Sequence, residues 1–405
     1  MKVLIINSVC GIGSTGRIAT DLFHTLREEG HDCKIAYGIG TANNVSPEFT
    51  IKMNNKYGYY THNALSRITD KAGFYSSRAT RNLIKQIEEY DPDIIHLHNL
   101  HGYYINVNIL FDYLSKANKP VIWTMHDCWP ITGHCTHFDL INCSKWKDGC
   151  FNCPQKSEYP KSYFLDKSKE NYALKKELFT SVKNMTIITP SNWLTEIIRK
   201  SYLGNYTVRT IHNGIDLNVF KPTESSFKEK NMLIGMKIVL GVANAWNSRK
   251  GLNDFIRLSE MLDENYKIVL IGLTKEQIAA LPKNILGIER TNSIQELAEI
   301  YSDADVFVNP TYEDNFPTVN IEALACATPV ITYRTGGSPE AIDSNCGQVI
   351  DVGDVNKLCE AICTLPSYDP NLILVRASQF ERTKKYKEYI DYYMEITQNK
   401  SIYVD

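Results

Sequence analysis

Short apolar runs alternate with helix-like stretches twice along this chain of 405 residues, and one polar interruption separates the two series. In the first series, β-type runs occupy 2–7, 33–37, 94–98, 121–125 and 187–190. Spacing predicts helices over 15–29 and 109–117, and a further helix capped by Ser191 or Asn192. The second series sets strands at 238–242, 267–271, 306–309 and 330–333 among helices near 251–262, 294–302 and 320–326. Such alternation restricts the chain to parallel sheets joined by right-handed crossovers. Its length exceeds what one core usually serves, so two domains are expected. Between the series, Asn213-Gly214 is a turn signal, Pro222 a breaker, and the stretch to Lys230 polar. The hinge is therefore placed here, with domains at 1–212 and 213–377 and a Lys-, Tyr- and Glu-rich terminal helix within 378–405.

Charge and hydropathy narrow the function classes. A net charge of −2 excludes a globally basic nucleic-acid binder, and no nucleic-acid partner is expected. No apolar run approaches the roughly 20 residues that span a bilayer. The apolar part of the N-terminal MKVLIINSV is too short for a signal peptide and reads as a first strand. A cytoplasmic protein is expected.

The segment 309–337 carries the most chemistry. Glu313-Asp314 opens a turn through Asn315, Phe316 and Pro317; a helix holding Glu322 follows, then an apolar strand ending in Gly336-Gly337. A helix N-terminus presents unpaired N–H groups and attracts phosphate. Carboxylates beside it suit sugar and ribose hydroxyls, and phosphate next to hydroxyls describes a nucleotide-sugar. The plain alternative is a solvated acidic turn ahead of a core helix.

Four other places bear on function. Gly11-Ile-Gly13-Ser-Thr-Gly16-Arg17 follows the first strand and matches the letters of a dinucleotide fingerprint. The next strand, however, ends in Tyr37-Gly38 rather than in the acid that would hold a ribose. Arg249-Lys250-Gly251 follows a strong strand at a helix start, where cations oppose the helix dipole unless an anion binds. His126-Asp127 sits at the carboxyl end of a strand, where open α/β sheets bind ligands; a core histidine satisfied by backbone is the plain alternative. His96 and His98 face one side of their strand, with His101 beyond, and are more often structural than metal-binding. Eleven cysteines include five between Cys128 and Cys153. Cys135, Cys143, Cys150 and Cys153 are candidate ligands of a closed structural zinc that would fix an insertion, 128–153, short of apolar content; His134 or His137 could replace one sulfur. Reduced thiols in a loop are the alternative. Finally, the stretches 156–176 and 66–85 mix lysine and arginine with aromatic residues, which suits an anionic membrane surface as well as an ordinary solvated face.

Asp314 and Glu322, separated by seven residues, resemble the paired acids of the donor motif of the retaining family 4 glycosyltransferases. The family usually has Glu at the first place, which leaves Glu313 as an alternative to Asp314. The string Asn213-Gly-Ile-Asp216 with Phe220 and Pro222 is similar to the family's interdomain connection, and Lys250-Gly251 to its Lys-Gly; Asn244 stands where the family has arginine, with Arg249 as candidate replacement. The 128–153 run also resembles one subgroup of exopolysaccharide glycosyltransferases. The resemblance implies an α/β fold of the GT-B type, two facing Rossmann-like domains with a cleft between them, and a terminal helix that crosses back to the first domain. It implies transfer of a hexosyl-type group from a UDP- or GDP-sugar to a hydroxyl, with retention and without a catalytic cofactor. The acceptor it implies is a glycan or lipid-linked oligosaccharide of capsule or exopolysaccharide assembly; the basic and aromatic stretches 156–176 and 66–85 add the expectation of peripheral association with the inner face of the membrane. Implied roles are His126 at the sugar or acceptor, Lys250 with Arg249 at the leaving diphosphate, and Asp314 or Glu313 at sugar hydroxyls. Glu322 would take the ribose, backbone at Asn315, Phe316 and Thr318 the distal phosphate, and Gly13 and Gly16 would face the donor phosphates. A nucleotide-sugar 2-epimerase and a non-catalytic zinc-stapled scaffold are the rival readings.

Overall fold

The computed structural model describes residues 1–401, with side chains through Gln398. It forms two compact units, Met1–His212 with the residues from Lys385 onward, and Asn213–Lys384.

The first unit is a seven-stranded parallel sheet of β1 (Lys2–Val9), β2 (Asp32–Ile39), β3 (Thr50–Lys52), β4 (Ile94–Leu97), β5 (Val121–Thr124), β6 (Met185–Thr189) and β7 (Thr207–Thr210), in the order β3-β2-β1-β4-β5-β6-β7. Its helices are α1 (Gly13–Glu28), α2 (Lys56–Thr69), α3 (Ser77–Tyr90), α4 (Val107–Lys116), α5 (Ser168–Phe179) and α6 (Asn192–Arg199), the last capped by the Ser191 hydroxyl. Side chains alternate across a strand, so β1 serves two cores. Leu4 and Ile6 join Leu97, Phe111 and Trp123 on one face, while Val3 and Ile5 join Leu22, Tyr389 and Tyr393 on the other. Burial on both faces is why these strands read as continuous apolar runs.

The second unit opens with the single-turn helix α7 (Phe227–Lys230) and has a six-stranded parallel sheet. Its strands are β8 (Lys237–Val242), β9 (Tyr266–Ile271), β10 (Ile285–Ile288), β11 (Val306–Asn309), β12 (Val330–Tyr333) and β13 (Gly347–Ile350), in the order β10-β9-β8-β11-β12-β13. The crossing helices are α8 (Leu252–Met261), α9 (Lys275–Ala279), α10 (Ile294–Asp303), α11 (Thr318–Ala325), α12 (Val355–Cys363) and α13 (Pro370–Ser378). In both sheets the order of strand addition reverses beside the first long strand, β1 or β8, as in doubly wound folds.

The chain closes with α14 (Arg382–Ser401). Spacing suggests one helix from about 378 to 398. Instead α13 ends at Ser378, started by Asp369 as cap and Pro370 in its first turn, and a turn at 379–381 precedes α14. From Lys385 onward α14 belongs to the first unit: Tyr386, Tyr389, Ile390 and Tyr393 are buried in its core, and the Tyr393 hydroxyl bonds His96 Nδ1 at 2.6 Å. Helix α2 lies outside the expected elements, although its apolar residues have helical spacing; what that spacing does not give is the face that is buried. The only residues it buries are His62 and Ser66.

The insertion 128–153 does not lack apolar content. Trp129, Ile131, Phe138 and Trp146 are buried in the first unit's core, with the Phe138 and Trp146 rings stacked 5.3 Å apart. Lys175 of α5 reaches in beneath it. Its ammonium donates to the Trp129 and Thr132 carbonyls at 2.9 and 3.1 Å and lies over the Trp129 ring. The zinc site expected at Cys135, Cys143, Cys150 and Cys153 is not supported: among the described residues no three His, Cys, Asp or Glu side chains group as metal ligands. The Cys135 and Cys153 thiols instead share a hydrogen bond, and packed tryptophans do the fixing that a metal was invoked to do.

Candidate functional site

In the second unit the loops after β8 and β11 meet. A 3-10 turn, Ser248–Lys250, follows β8, capped by the Asn247 side chain and ended by Gly251 at φ +74°. A Cβ on Gly251 would lie 2.3 Å from the Pro310 carbonyl oxygen, so only glycine lets this turn seat against the end of β11. Once seated, the Arg249 carbonyl accepts the Tyr312 N–H at 2.7 Å. Two ion pairs close the junction, Lys250 Nζ to Asp314 Oδ2 at 2.5 Å and Arg249 Nε to Glu313 Oε2 at 3.4 Å. Glu313 is fully buried, whereas Asp314, Lys250 and Arg249 keep part of their side chains in solvent. Asn244, by contrast, is simply exposed.

Behind the acidic pair, Asn315 and Phe316 are buried and lead through Pro317 into α11. A polar network invisible to motif reading holds this helix. Asn320 Oδ1 accepts from Asn309 Nδ2 at 2.8 Å, its own amide donates to Ser338 at 3.0 Å, and the Ser338 and Thr332 hydroxyls bond at 2.7 Å. Asp254 of α8 accepts both the Tyr312 and Tyr333 hydroxyls at 2.9 Å. Gly336 approaches so closely that a Cβ would lie 1.7 Å from the Asp314 carbonyl oxygen. Glu322 is buried on α11 and accepts from the Tyr301 hydroxyl at 3.1 Å. Arg249, Lys250, Glu313 and Asp314 thus converge, with Asn315, Phe316, Thr318 and Glu322 on the segment that follows. Chemically, a polyanion can compete with the carboxylates for both cations, and hydroxyl donors can take up carboxylate oxygens.

In the first unit, His126 follows β5. Its Nε2 lies 2.9 Å from His98 Nδ1, and the two rings stack at 15°. The other nitrogen of His98, Nε2, is buried without a hydrogen-bond partner. A buried N–H without an acceptor is rare, and a bare acceptor nitrogen is the cheaper choice. The His98 proton therefore sits on Nδ1 and is donated to His126, which places the His126 proton on its own Nδ1. Burial, and the neighbouring imidazoles, hold His98 well below the ordinary histidine range and His126 at about 4, so both are neutral. Nearby, His101 Nε2 meets Asp127 Oδ2 at 2.7 Å and its Nδ1 meets the Tyr159 hydroxyl at 3.0 Å. Burial alone would raise Asp127; His101, His137 and the Trp129 N–H outweigh it and bring the carboxyl to about 2. His96 bonds the Thr124 and Tyr393 hydroxyls and is buried structure. The His-x-His spacing at the end of β4 signals this cluster, but its partners come from the loops that follow β4 and β5.

Gly13 opens α1 and Gly16 lies in its first turn. A Cβ on Gly16 would meet Val9 at 2.9 Å, whereas Gly13 has open space around it.

Residues 15–219 match the family described as Glycosyltransferase Family 4, and residues 236–367 the family described as Glycosyl transferases group 1. WcaC of Escherichia coli K12, a glycosyl transferase named for colanic acid biosynthesis, is 23% identical over 372 residues, covering 89% of this chain and 90% of WcaC. A Campylobacter jejuni N,N'-diacetylbacillosaminyl-diphospho-undecaprenol alpha-1,3-N-acetylgalactosaminyltransferase is 32% identical over 141 residues, 32% of this chain and 37% of that enzyme. Among solved structures, Anabaena Alr3699/HepE in complex with UDP superposes with a TM-score of 0.66 at 14% identity, covering 98% of this chain and all of that one.

Proposed function

This chain belongs to glycosyltransferase family 4 and has the GT-B fold, and from that premise we propose that it moves a sugar from a nucleoside diphosphate sugar to a hydroxyl of a lipid-linked oligosaccharide or related glycan in surface polysaccharide assembly, with retention of configuration. The observation that carries the donor assignment is the pairing of Arg249 and Lys250 with Glu313 and Asp314 in front of α11. A diphosphate displaces Asp314 from Lys250 and binds alongside Arg249, and the released Asp314 takes sugar hydroxyls. Glu313, being buried, serves mainly to aim Arg249. Glu322 accepts the ribose diol, which requires it to share or give up the Tyr301 hydroxyl. The N–H groups of Asn315, Phe316 and Thr318 hold the distal phosphate, helped by the dipole of α11. His126, oriented by His98, positions the sugar or acceptor.

In the reaction the bond from the anomeric carbon to the diphosphate oxygen breaks as the acceptor oxygen attacks from the same face. The acceptor's proton passes to the departing phosphate oxygen. Lys250 stabilises the charge that develops there, and fixed cations and helix N-termini do this without a divalent metal. UDP is the first donor base to test, since the HepE structure holds UDP; GDP is the second. The name of the Campylobacter enzyme supports a lipid-diphosphate acceptor, and with it peripheral contact with an anionic membrane surface. The 2-epimerase finds no support among these relatives, and the scaffold reading loses its zinc staple.

Thermal unfolding against a panel of UDP-, GDP- and ADP-sugars tests the donor site. Ligand at about 100 times its Kd adds about 2.7 kcal/mol, so one base should raise the Tm by a few degrees. Lys250→Ala is expected to lower turnover roughly 100-fold, and near-normal turnover would remove Lys250 from the mechanism. Proton NMR of the first-formed product reads the anomeric outcome, and an inverted product ends the retaining assignment.

A further inference from the structure

Helix α2 is built inside out. It buries His62 and Ser66, while Tyr57, Tyr60 and Ile68 stand 85%, 64% and 48% exposed. These three, with Ala64, recur at intervals of three and four, so they form one apolar stripe turned away from the core. A second segment is stitched to the end of this helix. The Tyr163 N–H donates to the Arg67 carbonyl at 2.7 Å and the Leu165 N–H to the Ile68 carbonyl at 3.3 Å. Arg67 also donates to the Tyr163 hydroxyl at 3.4 Å. That segment presents Tyr163, Phe164 and Leu165, of which Phe164 is 70% exposed. Two stretches almost 100 residues apart in sequence thus make a single apolar surface.

Its charge is mainly positive, with Glu158 and Asp166 the acids beside the second segment. Between Glu48 and Glu88 the chain carries seven Lys or Arg and one acid, Asp70. Asp70 is buried and bonded to His134, so it presents no negative charge to solvent. Lys156 and Lys161 flank the second segment, Lys161 lying 5.4 Å from the Tyr163 ring centre.

We infer that α2 and the 161–165 segment form a docking surface for an anionic phospholipid bilayer, the apolar side chains entering the headgroup boundary and the cations meeting lipid phosphates. A protein partner fits less well, because the cores of protein interfaces are depleted in lysine, whereas a bilayer takes aromatic, aliphatic and cationic groups together. An isolated apolar patch of this kind on a soluble protein marks an interaction site. The inference deepens the proposed lipid-linked acceptor reading by naming the surface that brings the enzyme to its acceptor. Its observations are independent of the donor site.

The test is co-sedimentation of the full-length protein with vesicles of phosphatidylglycerol mixed with phosphatidylcholine, and with phosphatidylcholine alone. Partitioning onto the anionic vesicles should be at least about tenfold stronger and should weaken as salt is added. The combined variant Tyr60→Glu, Ile68→Glu and Phe164→Glu should lose about tenfold or more of that binding. Because these side chains are exposed, its Tm and its nucleotide-induced shift should match the wild type. Met232→Glu with Ile234→Glu, at residues 89% and 73% exposed in the second unit, should bind vesicles normally. Equal binding to neutral vesicles, no binding, or full binding by the triple variant overturns the proposal. So does a wild-type dimer that the triple variant converts to monomer, since a second copy would then cover the face. Vesicle binding without any nucleotide shift would instead count against the donor reading alone.

Discussion

At the scale of single residues, buried histidine is the feature with the clearest consequences. His62 accepts the Gly73 N–H on Nε2 and meets the Ser76 hydroxyl at 2.8 Å through Nδ1, so it is held as one neutral tautomer. Burial brings His62 and His96 to about 3 and His126 to about 4, with His98 also well below the ordinary value of 6.5. Each folded-state pKa lies below its unfolded value, so the unfolded chain binds protons first as pH falls. The stability these groups contribute is complete above about 6.5 and drains as pH drops toward their folded values. The Tm should therefore fall steadily between pH 6.5 and about 4.5, and His62→Gln should make that fall shallower. A Tm independent of pH across this window would mean that the histidines are solvated. His134 runs the other way. Burial opposes its charge, but the bonded Asp70 carboxylate prevails and raises its pKa, so its contribution is lost as pH rises. The cysteines show how spacing misleads at this scale. Cys150-Phe-Asn-Cys153 has the separation of a metal-binding pair, yet Cys153 takes a hydrogen bond from Cys135, and that bond, helped by His134 and against burial, lowers its pKa.

At the scale of elements, the site depends on loops held by glycine and by buried amides rather than on the helix alone. α11 spans eight residues, too few to be stable alone in water. It keeps its place through Asn320 and its partners and through the close approach of Gly336 to Asp314. Gly336→Ala would force a Cβ against the Asp314 carbonyl oxygen at a φ of +52°. The strain of such a residue is of order 1–3 kcal/mol. We expect a lower Tm and a nucleotide-induced shift reduced by more than the stability loss explains, because Asp314 and Lys250 are displaced together. A variant with wild-type Tm and wild-type shift would show that the loop tolerates movement there. Helix α2 makes the complementary point. Amphipathicity alone assigns a helix its buried face by hydrophobicity, and here the polar side is the buried one.

At the scale of the whole molecule, the two units are not alike in how the chain builds them. The second is continuous, Asn213–Lys384, whereas the first needs both ends of the chain. Tyr389 and Tyr393 of α14 lie against the β1 side of the first sheet, and Tyr392 bonds the Thr186 hydroxyl of β6 at 2.7 Å. Expressed alone, 213–384 should fold cooperatively and retain the nucleotide-induced shift. A fragment of 1–212 should be insoluble or molten by near-UV circular dichroism, since an apolar sheet face is left uncovered. Fusion of the terminal helix to its end should restore cooperative unfolding. A stable, cooperative 1–212 would show that α14 is dispensable to the first core. No helix among the described residues is long and apolar enough to cross a membrane.

The sequence by itself determined the α/β class, two parallel sheets, their central strands, the capped start of α6 and the segments that carry Lys250, Asp314 and Glu322. These follow from local physics: side-chain period, caps, turn residues and the spacing of chemically related groups along one element. Tertiary structure alone decided the rest. It paired Arg249 with Glu313 and Lys250 with Asp314, set His98 behind His126, turned α2 inside out, and stabilised the cysteine-rich insertion with tryptophans and a buried lysine. Each of those outcomes joins residues from different strands or loops. Their contacts depend on the register of the sheet and on which neighbour fills the space, and no window of local sequence contains that information.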